Sequence, residues 1–155
     1  MKINIISVNH KLSDWLEQGI QDYSCRLNKW AINFIQLKPS NKINSDERML
    51  NEAKNIERSL VNLLHKSLII VLDEKGFSNT TKKLAENITN WQYTYCYLTF
   101  IIGGADGLHQ SIKQKANYIL RLSDMTLPHG FAQLLLIEQL YRVYSMMNNH
   151  PYHRE

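Results

Sequence analysis

Residues 100–155 read FIIGGADGLHQSIKQKANYILRLSDMTLPHGFAQLLLIEQLYRVYSMMNNHPYHRE, and this last third of the chain decides the fold. It joins an apolar strand pattern, a glycine-rich loop, a second strand pattern, a tight turn with a proline, a long apolar helix and a polar tail. Strand, loop and helix in this order are typical of α/β proteins, in which ligands bind where loops follow strands. The residues upstream are therefore expected to form a scaffold for this segment.

The upstream residues alternate between strand and helix patterns. Strand patterns occur at residues 2–8, 32–37, 68–72 and 96–102. Helical spacing of apolar residues follows the first three of them, at residues 12–30, 45–63 and 84–91. Ser45 is the expected N-cap of the second helix. The continuous apolar runs at 68–72 and 96–102 are typical of strands covered on both faces, so the alternation predicts a parallel sheet with helices on both faces.

Length and charge limit the class of protein. A chain of 155 residues makes one ordinary domain, and 18 Lys and Arg against 14 Asp and Glu give a net charge of +4. This balance permits a polyanionic partner without requiring one. Lys54, Arg58 and Lys66 lie on one predicted helix and are interpreted as a solvated basic face. Apolar runs of about seven residues are too short to span a bilayer, so we expect a soluble cytoplasmic protein with no membrane partner.

Two loops are the candidate ligand site. Because the carboxyl ends of parallel strands share one edge of the sheet, Leu72 and Gly103 are expected on the same rim as the loop after the last strand. Gly103, Gly104 and Gly107 have the spacing GGxxG rather than GxGxxG, so a tight turn without a ligand remains an alternative. The loop at 123–129 offers apolar side chains and backbone groups of the kind that hold an adenine ring.

The last helix and the tail supply further candidates. Residues 131–148 are apolar on nearly every side, which predicts a homodimer with this helix in the interface. Glu138 and Arg142 are spaced i, i+4, so Arg142 either pairs with Glu138 or points at a substrate. Tyr, His and Arg in residues 148–155 offer stacking, proton transfer and phosphate contact, as an unpaired RNA base and its backbone would need.

The sequence gives no support for a metal site. His150 and His153 lack a third ligand nearby in the sequence. Cys25 and Cys96 have no CxxC spacing, and they are expected to be buried free thiols.

Five ordered motifs resemble the RlmH family of ribosomal large-subunit pseudouridine methyltransferases, a minimal branch of the SPOUT methyltransferases. The motifs are LDxxG at 72–76, IGGxxGL at 102–108, LSxxTLPH at 122–129, EQLYR at 138–142 and PYHR at 151–154. The similarity extends over the whole chain.

The resemblance implies an α/β SPOUT fold in one domain, residues 1–155, with a C-terminal trefoil knot within approximately 68–155. It implies a homodimer that uses S-adenosyl-L-methionine to methylate N3 of pseudouridine 1915 in helix 69 of 23S rRNA on assembled ribosomes. Matching positions imply cofactor contacts from Leu72, Gly103, Leu122, Ser123, Asp124, Met125, Thr126 and Leu127.

The catalytic candidates follow from the chemistry that the resemblance implies. They are His129, Arg142, Tyr152, His153 and Arg154. The two histidines could take the N3 proton, the two arginines could hold negative charge on the uracil oxygens, and the tyrosine could stack on the base. The family commonly carries an arginine where this chain has Gln133, so catalysis rests more on Arg142 and Arg154 if that arginine assists the site.

Three other functions fit parts of the sequence. A SPOUT enzyme acting on another RNA, such as tRNA, would share the cofactor loop. A flavodoxin-like oxidoreductase would bind NAD or FMN at the same edge of the sheet, and a non-catalytic ribosome-binding protein would lack affinity for a cofactor.

Overall fold

A computed structural model of the chain describes residues 1–61, 63 and 67–153, and in this part five parallel strands form one sheet in the order β2-β1-β4-β3-β5. The strands are β1 (Lys2–Val8), β2 (Ala31–Leu37), β3 (Ser67–Ser78), β4 (Tyr97–Ile102) and β5 (Tyr118–Arg121). The helices are α1 (Asp14–Arg26), α2 (Ser45–Leu60), α3 (Thr81–Thr94), α4 (Gln110–Lys115) and α5 (His129–Met147), followed by a short 3₁₀ helix (Pro151–His153). The predicted α/β fold with a parallel sheet is confirmed.

Helices cover both faces of the sheet. Successive side chains of a strand point to opposite faces, so Ile3 and Ile5 of β1 join a core with α1, α3 and α5, whereas Ile6 and Val8 join a core with α2 and α4. A strand covered on both faces must be apolar throughout, which explains the unbroken run LIIVL at 68–72. The trefoil knot and its approximate bounds remain predictions.

A line of polar side chains crosses the sheet on the α2 side. The amide of Asn33 donates to Asn4 Oδ1 (3.1 Å), and Asn4 Nδ2 donates to Thr99 Oγ1 (3.3 Å). Thr99 Oγ1 also lies 2.7 Å from the hydroxyl of Ser67 on β3. Because Thr99 is fully buried, these bonds replace the water that its hydroxyl loses on folding. They tie four neighbouring strands together at one register.

Two local predictions are wrong in detail. α2 begins at Ser45, but its N-cap is Asn44, whose side-chain oxygen accepts from the amides of Asp46 (2.8 Å) and Glu47 (3.3 Å). Asn44 has an extended backbone and can turn its side chain back onto the first helical turn, which Ser45 inside the helix cannot do. The two cysteines are free but exposed, because one lies on the outer side of α1 and the other precedes the first buried residue of β4.

The single chain buries much of α5, contrary to the premise of the dimer prediction. α1, α3 and the 3₁₀ helix pack against it. Its buried residues are Gly130, Gln133, Leu136, Ile137, Leu140, Tyr141, Val143, Tyr144 and Ser145. Its first turn is less covered: Phe131 is 47% exposed and packs edge-on against Trp15 of α1, itself 54% exposed, with 5.4 Å between ring centroids. The homodimer therefore remains a prediction, and this aromatic pair is one exposed apolar surface that a second copy could cover.

Within the described residues, no helix combines the length and the apolar character needed to cross a membrane.

Candidate active site

A cavity of about 800 Å³, the carboxyl-end pocket, opens where β4 and β5 end and beside residues 72–75 of β3. Its wall is formed by residues 72–75, 102–107, 120–123 and 125–129, with Lys113 and Ala132. After β4 the chain continues into α4 on one face of the sheet, and after β5 it continues into α5 on the other. Connections that diverge in this way leave a crevice at the strand ends, which is the usual ligand position in parallel sheets.

The residues predicted to contact the cofactor lie around this pocket with one exception. Those on the wall are Leu72, Gly103, Leu122, Ser123, Met125, Thr126 and Leu127. Asp124 is not on the wall, because its side chain is 80% exposed and its carboxylate pairs with Arg121 (3.0 Å). The structure thus brings together seven of eight predicted positions, whose role in binding a cofactor remains a prediction.

Glycine is required at positions 76, 103 and 107 for different reasons. Gly107 has φ of +84°, the left-handed region that favours glycine. A Cβ on Gly103 would lie 2.8 Å from the Gly107 carbonyl carbon and from Leu108 Cγ. A Cβ on Gly76 would lie 2.7 Å from the Ile119 carbonyl oxygen. The close approach of other backbone atoms explains why Gly76 and Gly103 carry no side chain, whereas positive φ explains Gly107.

Gly76 closes a short excursion in β3. In the pairing of β3 with β5, both Leu72 and Phe77 lie opposite Leu120. Residues 73–76 between them therefore do not pair with β5. The third predicted strand ends at Leu72, whereas β3 resumes after the excursion and ends at Ser78. The excursion carries Asp73, Glu74 and Lys75 onto the pocket wall.

Two ion pairs hold the walls of the pocket. Lys113 Nζ lies 2.5 Å from Asp73 Oδ2, and the Lys75 amide donates to the same carboxylate (2.9 Å). Burial raises the pKa of Asp73, but these two hydrogen bonds outweigh burial, and the pKa lies below its ordinary value. The hydrogen bond from Arg48 of α2 likewise lowers the pKa of Asp106, whose two oxygens accept from Nε (2.7 Å) and Nη2 (2.9 Å).

Arg121 is a wall residue that sequence reasoning missed. It ends β5, and its Nη1 pairs with exposed Asp124, while its Nε is buried and has no hydrogen-bond partner among the described residues. A buried donor without a partner is costly, so a ligand acceptor at this wall would relieve that cost. The sequence held one signal, since Arg121 lies two residues before the predicted loop at 123–129. Lys113 had none, because only tertiary packing brings α4 beside Asp73.

His129 is the one predicted catalytic residue that the described structure places on the pocket wall. It is the first residue of α5 and follows Pro128, the N-cap, so the helix start fixes its backbone at the rim. Gln133 is buried on the same helix, with 7% exposure. Arg142 lies ten residues beyond Ala132, the last wall residue of α5, or about 15 Å along the helix axis. It cannot therefore reach the pocket of its own subunit.

Arg142 and Tyr152 meet instead in a separate tail cluster with Glu138 and Tyr23. Arg142 donates to Glu138 Oε1 from Nε (3.1 Å) and Nη2 (2.6 Å), which confirms the predicted i, i+4 ion pair. The Tyr152 hydroxyl donates to the same oxygen (3.3 Å) and lies 3.1 Å from the Tyr23 hydroxyl. The hydrogen bond with Glu138 raises the pKa of Arg142, and burial followed by the Tyr23 contact raises the pKa of Tyr152. Tyr152 is therefore a neutral donor that anchors the tail.

The remaining candidates follow this anchor. His153 ends the 3₁₀ helix, and Arg154 lies outside the described residues. Among the described residues there is no group of three or more His, Cys, Asp or Glu that could hold a metal ion.

Comparisons with known proteins give a consistent picture. Proteins named "Ribosomal RNA large subunit methyltransferase H" from Nitrosomonas eutropha and Cupriavidus metallidurans are 48% and 42% identical over 155 and 158 residues, with 99% of both chains covered in each case. A probable methylase family protein from Haemophilus influenzae Rd KW20 has 16% identity and a TM-score of 0.59 over 99% of this chain and 70% of that chain, a likeness of fold alone. Residues 1–153 match the family described as "Predicted SPOUT methyltransferase", and the chain therefore belongs to the SPOUT methyltransferases.

Proposed function

We propose that this SPOUT methyltransferase transfers a methyl group from S-adenosyl-L-methionine to N3 of a pseudouridine in helix 69 of 23S rRNA, on assembled ribosomes. One observation carries the proposal. The two relatives named as large-subunit rRNA methyltransferases align with 99% of this chain, and the alignment spans the loops that line the carboxyl-end pocket. The protein would be a single domain of residues 1–155 that acts in the cytoplasm as a homodimer.

The pocket fits a nucleoside cofactor of this kind. Its volume of about 800 Å³ lies within the range of small-molecule sites. Residues 122–128 belong to no helix or strand, and Leu122 and Leu127 offer apolar contact to an adenine ring. Gly103 allows the glycine loop to fold tightly at the pocket wall, because a side chain there would meet Gly107 and Leu108. S-adenosyl-L-methionine, when bound, supplies an electrophilic methyl group.

The residues of this chain must then orient the base and remove a proton. N3 of pseudouridine is an imide nitrogen whose proton must leave as the new N–C bond forms. His129 lies on the pocket wall and carries a group that can accept a proton. The buried Nε of Arg121 offers a hydrogen-bond donor at the same wall, either for the cofactor or for negative charge developing on a uracil oxygen.

The tail would complete the site across a dimer. Tyr152 anchors the tail at the far end of α5, away from the pocket of its own subunit, and His153 and Arg154 follow it in the sequence. The exposed pair Trp15 and Phe131 lies at the pocket end of α1 and α5, where a second copy could cover it. A partner seated there could bring its own tail, and Arg142, to this pocket. Tyr152 would then position the tail rather than stack on the base.

A ribosomal substrate is favoured because the described residues form one sheet covered by helices, so the surface of this fold must recognise the RNA. RNA hairpins are recognised largely by shape, and a ribosome supplies shape that protein-free rRNA lacks. We expect methylation of ribosomes or large subunits and little of protein-free rRNA or tRNA.

The test begins with calorimetric titration of the purified protein with S-adenosyl-L-methionine, with NAD as the control. Saturable binding of the methyl donor alone is expected. Radiolabelled methyl transfer to ribosomes, large subunits, protein-free rRNA and tRNA then identifies the substrate, and mass spectrometry of the nucleosides identifies the atom. Efficient turnover of tRNA or of protein-free rRNA would refute the proposed substrate, and binding of NAD alone would refute the cofactor.

A further inference from the structure

A second concavity, the basic groove, lies between α2 and α4 and has a volume of about 430 Å³. Its lining residues are Lys54, Glu57, Arg58, Leu60, Val61 and Lys115. α2 and α4 pack on the face of the sheet opposite α1, α3 and α5. The groove is therefore separate from the tail cluster and from the exposed aromatic pair.

Three cations face one carboxylate in the basic groove. Glu57 Oε1 accepts a hydrogen bond from Lys115 Nζ (2.5 Å), which joins the two helices. Among the described residues, neither Lys54 nor Arg58 pairs with a carboxylate, and Arg58 makes only a 3.4 Å contact with the side-chain oxygen of Asn55. Like charges at i and i+4 destabilise a helix when no anion lies between them. The groove thus carries two exposed cations without a described counterion.

Helix α2 connects the basic groove with the carboxyl-end pocket. Near its start, α2 contacts the glycine loop of that pocket through the ion pair between Arg48 and Asp106. Arg58 lies ten residues further along the same helix, or roughly 15 Å along its axis. An RNA segment with one nucleotide in the pocket could therefore place neighbouring phosphates against this flank of the protein.

We propose that the basic groove binds the phosphodiester backbone of the rRNA segment that flanks the methylated nucleotide. This inference rests on the proposed function and adds a second contact surface to it. Arg58 can form paired hydrogen bonds with a phosphate, whereas Lys54 and Lys115 act as point charges. Contacts to phosphates fix the position of RNA without reading its sequence. The sequence predicts a solvated basic face of Lys54, Arg58 and Lys66, of which Lys66 lies outside the described residues. The fold adds Lys115 and a concave shape.

The test compares two double variants with the same loss of charge. The groove variant carries Lys54→Gln and Arg58→Gln. The control carries Lys29→Gln and Lys83→Gln, which remove two exposed lysines on the α1 and α3 side of the sheet. Affinity for large ribosomal subunits is measured by filter binding over a range of salt concentrations, together with KM, kcat and the affinity for S-adenosyl-L-methionine.

The groove variant should lose about ten-fold in affinity for large subunits at moderate salt, with KM raised to match and kcat unchanged. Its plot of log affinity against log salt concentration should be less steep by about 1.5, since two phosphate contacts are lost. The control should keep the wild-type slope. Equal behaviour of the two variants, or an unchanged slope in the groove variant, would overturn the inference. Failure of the wild-type protein to methylate ribosomes would count against the proposed function alone, because the binding slopes still test the groove.

Discussion

The distance between His129 and Arg142 leads to a quantitative test of a site shared between two subunits. α5 begins at the carboxyl-end pocket with His129 and carries Arg142 thirteen residues later, about 20 Å along the helix axis. Tyr152 holds the tail beside Arg142 through Glu138. A pocket and a tail of the same subunit therefore lie at opposite ends of α5. If both are needed for methylation, each pocket must use the tail of the partner.

Two impaired variants can be combined in one dimer, at a concentration of S-adenosyl-L-methionine too low to fill the weakened pocket of the first. The pocket variant carries Gly103→Ala, whose Cβ would lie 2.8 Å from backbone and side-chain atoms of the glycine loop. The tail variant lacks residues 152–155 and should keep its affinity for S-adenosyl-L-methionine within a few-fold. In a heterodimer, the intact pocket of the tail variant faces the intact tail of the pocket variant. One of two sites is complete, so purified heterodimers should show about half of wild-type activity, and a random mixture about one quarter.

The assay uses two affinity tags, tandem purification and methyl transfer to large ribosomal subunits. A heterodimer of wild-type and tail variant is the matched control, and it should also show about half activity. If the heterodimer of pocket variant and tail variant shows only background activity while the control shows about half of wild-type activity, a site completed by the partner is refuted. A protein that sediments as a monomer at working concentration would refute it as well.

Three further predictions concern individual residues. Thr99→Val should lower the free energy of unfolding by about 1–3 kcal/mol, because Ser67 loses its buried partner, and a change below about 0.5 kcal/mol in urea unfolding would contradict this. Gly103→Ala should weaken S-adenosyl-L-methionine binding by about ten-fold or more, because the added Cβ causes a clash in the glycine loop that costs about 1–3 kcal/mol. Gly107→Ala has open space but a positive φ, so it should lower stability and weaken binding less. A larger loss of binding in Gly107→Ala than in Gly103→Ala by calorimetry would be inconsistent with the geometry. Since the folded pKa of Asp73 is lowered, its ionisation stabilises the protein above the unfolded pKa of about 3.9, and this contribution is lost as pH falls through the folded pKa. The difference in the free energy of unfolding between wild type and Asp73→Asn should therefore shrink between pH 7 and pH 3. A difference that stays constant over this range would argue against the role of Asp73.

Much of the fold could be predicted because each strand carries its own signal. Unbroken apolar runs such as 68–72 indicate strands buried on both faces, and alternation with helical patterns requires parallel crossovers. The same logic located the rim, since parallel strands end at one edge. Predictions were less accurate where a single backbone torsion or side-chain direction decides the outcome, as at the N-cap Asn44 and at the exposed Cys25.

The candidate site could be predicted only where its residues are close in sequence. Residues 122–128 form one loop that leads directly into His129 of α5, so their motif was recognisable before the structure was known. Lys113 of α4 and Arg48 of α2 are distant in sequence from their partners Asp73 and Asp106, and no local pattern links either cation to the pocket. The role of Tyr152 changed for the same reason, because its partners Tyr23 and Glu138 lie on two different helices.

The sequence by itself determined the class of fold, the edge of the sheet that carries the pocket and the loop that lines it. These follow from hydrophobic periodicity and from motifs, which act over a few neighbouring residues. Only the tertiary structure decided that α5 separates His129 from Arg142, that Tyr152 is an anchored neutral donor, and that α4 turns a basic helix face into a groove. Such features depend on the packing of distant segments, where distance and burial, rather than residue type, fix what each side chain contacts.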